Sequence, residues 1–251
     1  MKKRTLIIII IVSFAAGVVF ANFSNWLGNK KIDNPKQQEE EKPKDSDKEK
    51  EKEEEVFKSE YDCNKNGIDD YNDFVIGARK EAEAGTKYVE DGGYYFTGGY
   101  PPEGVGVCTD TIWRAFKEAG YILRDMVNED IKNNLSEYPD PSSRPDGPDP
   151  IVDFRRVQNL KVYFDRHATS LTLDPYDTDQ WKPGDIVIFG ESYGHIGIIS
   201  DKKNDKGIPY MIHSSDEFTG EKDVLIYRHE KDGITGHYRF DKPGNTCKIG
   251  N

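Results

Sequence analysis

Apolar and polar positions divide the chain into four textures. An uncharged apolar run extends from Leu6 to about Ala21, and from Lys30 to Lys58 apolar residues almost vanish. Helical spacing then dominates to His167, after which short β-patterned runs alternate with Gly, Asp and Pro turns. The helical part predicts helices from about Tyr71 to Ala84, from Thr109 to Gly120, from Leu123 to about Tyr138 and from Arg156 to His167. In the second of these Ile112, Phe116 and Ala119 share a face, Thr109 or Asp110 is placed to cap the start, and Gly120 is a stop. In the last, Val157, Leu160 and Phe164 face a core. The aromatic, glycine-rich Tyr94–Pro102 reads as a loop or short strand, and the proline-rich Tyr138–Pro150 as an exposed loop. Ile186–Phe189, His195–Ser200, Tyr210–His213, Val224–Tyr227 and His237–Phe240 read as five short strands of an antiparallel meander. Helices first and a sheet afterwards predict an α+β fold.

The first two textures do not belong to that fold. Met1-Lys2-Lys3-Arg4 ahead of an apolar run is an export pattern, with the basic residues left in the cytoplasm. Val19 and Ala21 are small enough for signal cleavage after Ala21, but the run is longer than the usual apolar core of a cleaved signal, which favours an uncleaved membrane anchor. No cysteine follows it, which excludes a lipoprotein. The Lys/Glu/Asp run cannot bury enough surface to offset its chain entropy and reads as a solvated tether. The expected organisation is therefore a signal anchor or signal peptide at 1–28, a disordered tether at 29–58 and one folded domain at 59–251, exported either way and monomeric. A net charge of −11 offers no basic face to phosphates and argues against nucleic acid as a partner.

Three cysteines, Cys63, Cys108 and Cys247, make an odd number in an exported chain. A bridge between Cys63 and Cys247 would leave Cys108 free, although sequence does not show whether their Cα atoms approach. A cysteine at a helix start meets unpaired amides and the positive end of the macrodipole, which favour a thiolate. The bland reading of Cys108 is a small buried residue.

The segment 62–73 places Asp62, Asn64, Asn66, Asp70 and Asp73 at loop positions 1, 3, 5, 9 and 12, with Gly67 at position 6 and the Ile68 carbonyl at position 7. This spacing suits Ca2+ and resembles the EF-hand and dockerin-type loops of exported bacterial proteins. Asp73 stands where a bidentate glutamate is usual, which implies weaker binding. The expected role is structural, at the junction of tether and domain.

A thiol nucleophile needs a base to take its proton and a third group to orient that base. His195 begins one predicted strand and His213 ends the next, so antiparallel pairing brings the two imidazoles to one edge. Cys108, His195 and His213 then make nucleophile, base and orienting residue. A cysteine at a helix start, Trp181-Lys-Pro-Gly-Asp-Ile-Val and Gly194-His-Ile-Gly-Ile-Ile resemble the NlpC-type cell-wall cysteine peptidases of the papain-like clan. The chain is more similar to an exported bacterial family of uncharacterised proteins related to that group, through Gly106-Val-Cys-Thr-Asp-Thr-Ile-Trp, Asp153-Phe-Arg-Arg-Val-Gln-Asn-Leu and Thr235-Gly-His-Tyr-Arg-Phe. The resemblance implies a papain-like fold and hydrolysis of amide bonds in peptidoglycan stem peptides by these three residues. It departs at Val107-Cys-Thr-Asp, where many NlpC-type enzymes carry Asp-Cys-Ser, so substrate contacts there do not carry over.

The remaining candidates have simpler explanations. His167 and His229 read as satisfied polar residues, His237 as a substrate-side or strand-end residue, Asp110 as a cap and Asp185 as a turn anchor. No Cys/His pair has zinc spacing. Two alternatives stand beside the hydrolase: a non-catalytic, calcium-stabilised module binding the cell envelope, and an acyltransferase of the same fold.

Overall fold

The computed structural model describes residues 57–89, 96–139, 147–191, 194–215, 218–241 and 247. The expected signal segment and nearly all of the tether lie outside them, as does part of each of the loops Tyr94–Pro102 and Tyr138–Pro150. Among the described residues no helix is long and apolar enough to cross a membrane.

Among the described residues five helices and an eight-stranded sheet form a mixed α+β domain. The helices are α1 (Asp70–Glu83), α2 (Cys108–Glu118), α3 (Leu123–Asn133), α4 (Val157–His167) and α5 (Leu225–Asp232). The strands are β1 (Lys87–Tyr88), β2 (Val105–Gly106), β3 (Thr169–Ser170), β4 (Ile186–Phe189), β5 (His195–Lys203), β6 (Pro209–Ser215), β7 (Phe218–Lys222) and β8 (Ile234–Arg239). The sheet order is β2-β1-β7-β6-β5-β4-β8-β3. β1 and β2 pair in parallel, and every other pair is antiparallel. Two expectations are corrected. Val224–Tyr227 is not a strand but leads into α5, with Leu225 its one buried residue. The predicted helix beyond Leu123 ends at Asn133, and Leu135–Glu137 is a separate 3-10 turn.

The period-two pattern of the strands sorts side chains between two cores. Ile186, Ile188, Ile196, Ile198 and Ile212 pack with Phe74 of α1, Phe116 of α2, Val127 of α3 and Phe164 of α4. The alternate residues Val187, Phe189, Ile199 and Met211 pack with Trp181 and with Leu225 of α5. In the larger core Phe74 stacks on Phe116 with ring centroids 4.6 Å apart. Gly77 allows that approach, because a Cβ there would lie 2.7 Å from Glu118 Cβ and 2.9 Å from Ala115 Cα. The domain ends are joined by a Cys63–Cys247 disulfide with a Cα separation of 5.4 Å, and Cys108 is the free cysteine. A bridge across 184 residues restricts the unfolded chain and, by loop entropy, contributes on the order of 5 kcal/mol.

Candidate active site

Cys108 is the first residue of α2, and its neighbours explain why the helix starts there. Val107 is the N-cap and carries no capping side chain, so Asp110 caps from within: its carboxylate accepts the Val107 N–H at 2.8 Å. Asp110 also accepts Trp113 Nε1–H at 2.7 Å and two N–H groups of Arg155, from Nε at 2.7 Å and Nη2 at 2.9 Å. The carboxylate is fully buried, and such a charge persists only when paired and hydrogen-bonded. Thr109 Oγ1 donates to the Arg155 carbonyl at 3.0 Å, so the turn Asp153–Arg155 grips the start of α2 twice. Arg155 was invisible as a partner in sequence, although it lies within the Asp153-Phe-Arg-Arg motif.

The backbone amide of Ile196, the residue after His195, favours the Cys108 anion. The amides of Thr109 and Cys108 itself also favour its anion, as a helix start should. Burial outweighs them, and together with the negative charge of Asp110 it pushes the thiol up to about 11. The helix-start amides favour the thiolate as expected, but desolvation penalises the charge more than the three amides reward it, which favours the protonated thiol.

Both histidines come together as the strand reading expects. Ile198 pairs with Ile212 and Ile199 with Met211, and the same register carried on sets His213 across from Gly197, two residues from His195. His195 Nε2 lies 2.8 Å from His213 Nδ1, with the rings edge to face. His213 is 1% exposed. Burial, then the charges of His195, Arg228 and Lys222, push it down to about 2, so it stays neutral. Its Nε2 has no hydrogen-bond partner among the described residues. Cys108 and His195 line one cavity of about 660 Å³, shared with Tyr88, Arg155, Gln158 and Ser215.

The other polar candidates are built into the framework. His237 sits between the Thr172 carbonyl at 2.7 Å and Asp185 at 3.1 Å and stacks on Trp181 with centroids 3.6 Å apart. Asp185 also accepts the Lys182 N–H of its turn and the guanidinium of Arg239. His167 Nε2 lies 3.0 Å from Asp130 on α3.

In the loop 62–73 Asp62 accepts the N–H groups of Asn66 and Gly67, and Asn64 and Asn66 accept those of Asn66 and Ile68. The Asn64 and Asn66 side chains converge on the Asp73 carboxylate. Asp70 departs from this set, since its carboxylate is buried on the Cys63 N–H and the Tyr121 hydroxyl. Asp62, Asn64, Asn66 and Asp73 thus gather in one loop from which Asp70 is turned away, and no group of three His, Cys, Asp or Glu side chains suited to a metal occurs among the described residues. Asn64 Nδ2 also donates to the Glu118 carbonyl, which docks the loop on the far end of α2.

A family model described as a domain of unknown function, DUF1287, matches residues 75–240, a span that includes Cys108, His195 and His213. The chain is also 35% identical over 147 residues to the uncharacterised protein YijF of Escherichia coli strain K12, covering 58% of this chain and 69% of that one. No solved structure matches.

Proposed function

The chain belongs to the DUF1287 family, and from that premise we propose that it is an exported, membrane-tethered cysteine amidase or peptidase with a papain-like, NlpC-type fold. Its substrates are amide bonds in peptidoglycan stem peptides. One observation carries the reading: Cys108 and His195 line one cavity, and His195 lies 2.8 Å from a second, neutral histidine.

With Cys108 protonated at rest, His195 takes the thiol proton as the S–C bond to the substrate carbonyl forms. His195 Nε2–H donating to neutral His213 leaves Nδ1 as the basic nitrogen and holds the imidazolium once it forms. The backbone amide of Cys108 stabilises the oxyanion. Collapse breaks the C–N bond, and His195 returns the proton to the leaving amine. Water then attacks the thioester with His195 as base, releasing the acid and restoring the thiol. The loop 62–73 is proposed to hold calcium through Asp62, Asn64, Asn66, Asp73 and the Ile68 carbonyl, steadying the domain entrance and the far end of α2.

The burial of Cys108 favours the alternative of a non-catalytic envelope-binding module. Purified muropeptides incubated with the full-length protein and with Cys108→Ala separate the two by mass spectrometry. Hydrolysis by the wild type alone supports the hydrolase; cleavage by neither defeats it for this substrate, and a transferred acyl group in place of a free acid assigns the acyltransferase.

A further inference from the structure

The charge of the cavity opposes that of the molecule. The chain carries 46 acidic against 35 basic residues. Yet among the described residues the cavity wall holds Arg155, Arg156, Arg228 and Lys231, with Asp232 as the one carboxylate. Two of these cations are compensated: Arg155 by buried Asp110, and Arg228 by Asp232 at 3.1 Å. Arg156 and Lys231 are exposed and have no ion pair among the described residues. Such a patch in an acidic molecule repels nothing anionic at the one place where substrate must enter, and low-dielectric walls focus its field. The first turn of α4, from Arg156 to Gln158, faces the same space without a side-chain cap and adds to the positive potential.

We propose that this cleft selects acyl substrates bearing a free carboxylate close to the amide that is cut, held by Arg156, Lys231 and the partly compensated Arg228. The inference rests on Cys108 and His195 marking the acyl-binding cleft, and it names the substrate class. Arg156, the N-cap of α4, and Lys231 on α5 line the same cavity as Cys108 and His195, so a carboxylate held by them fixes the acyl chain relative to the thiol. These are positioning and specificity residues. Neutral or basic peptides leave these two cations without a counter-charge, which gives the site its selectivity.

Two kinds of carboxylate meet the requirement, a terminal one and an acidic side chain. The probe is a tetrapeptide with an acidic side chain and a free C-terminus, together with two counterparts in which one or the other carboxylate is a carboxamide. Affinity is read by calorimetry on full-length Cys108→Ala in detergent, at about 50 mM salt where screening is weak. Capping the recognised carboxylate weakens binding about tenfold, as expected for charge-assisted contacts at a partly exposed site. Which counterpart suffers identifies the source. In the same protein carrying Arg156→Gln and Lys231→Gln, exposed changes whose folding is checked by melting, acid and amide bind within about twofold of each other. Equal affinity for all three peptides overturns the proposal, as does a preference that survives the double substitution. Inorganic phosphate displacing the peptide at equal concentration overturns the carboxylate class. Wild-type turnover separates the two claims. Cleavage of acid and amide peptides at equal rates removes the carboxylate selection and leaves the hydrolase. Selective binding of acids without any cleavage removes the hydrolase and leaves the carboxylate site.

Discussion

His213 on β6 and His237 on β8 are equally buried, each 1% exposed, and their surroundings treat them in opposite ways. His237 has a partner on each nitrogen and an indole face against its ring, and its carboxylate neighbour is itself paired with Arg239. Every polar group there is occupied within the fold. His213 has one nitrogen on His195 and the other without a partner among the described residues, feels the charges of Arg228 and Lys222, and is held neutral. A buried imidazole left incompletely paired costs stability, and here it adjoins a second histidine, a free thiol and a cavity. Burial alone therefore says little about a histidine's role; the state of its second nitrogen says much more.

The sharpest way to break this comparison is to delete each ring. His213→Ala is expected to lower turnover on the order of 10²- to 10⁴-fold, as loss of an orienting partner does, with little change in melting. His237→Ala is expected to cost about 3 kcal/mol of stability through its two hydrogen bonds and stacking, while the folded fraction keeps its turnover. Denaturant melts and steady-state kinetics on the two variants check this, and swapped outcomes would reverse the assignment of the two sites.

The start of α2 has its own fully satisfied polar group in Asp110, two residues from Cys108. Asp110→Ala removes the cap of α2 and the buried carboxylate that pairs with the Arg155 guanidinium. A loss of about 3–5 kcal/mol is expected in chemical denaturation. A loss under about 1 kcal/mol would mean that the pair does not hold the helix start.

Protonation sharpens the comparison further. Below its ordinary value of 6.5, His213 binds a proton in the unfolded chain but not in the fold, where its value is pushed down to about 2. The unfolded state then holds more protons, so stability falls as pH falls below 6.5, by up to about 1.4 kcal/mol per pH unit. His213→Ala should flatten that slope relative to wild type in melts between pH 7 and 5; an unchanged slope would assign the acid sensitivity elsewhere. The smallest expected effect is at the far end of α2. Removing calcium with EDTA should lower the melting temperature by a few degrees, and restoring it should reverse the fall, whereas an unchanged melt would remove the metal from the account.

Much of this arrangement was legible in the residues. Ile186 and Ile188 against Val187 and Phe189 announce a strand with two buried faces, and His195 and His213 follow from strand pairing alone. Other features had no local signal. Val224-Leu-Ile-Tyr is too short an apolar run to distinguish strand from helix, and the Arg228–Asp232 pair belongs to the helical outcome. Phe218-Thr-Gly-Glu-Lys has one apolar residue and a glycine, so β7 exists through its ladder with β6. The Asp110–Arg155 clamp joins residues 45 apart. The helix start that favours a Cys108 thiolate could be read from sequence, but the burial that overrides it is a property of the folded chain.

Attack of Cys108 on a carbonyl with His195 as its base can be caught by acid-quenching the full-length protein seconds after mixing with a muropeptide and weighing the intact chain. A mass increase equal to the acyl fragment is expected, mapped to Cys108, accompanied by released amine and absent from Cys108→Ala. Amine released without an adduct, or released equally by Cys108→Ala, would contradict it.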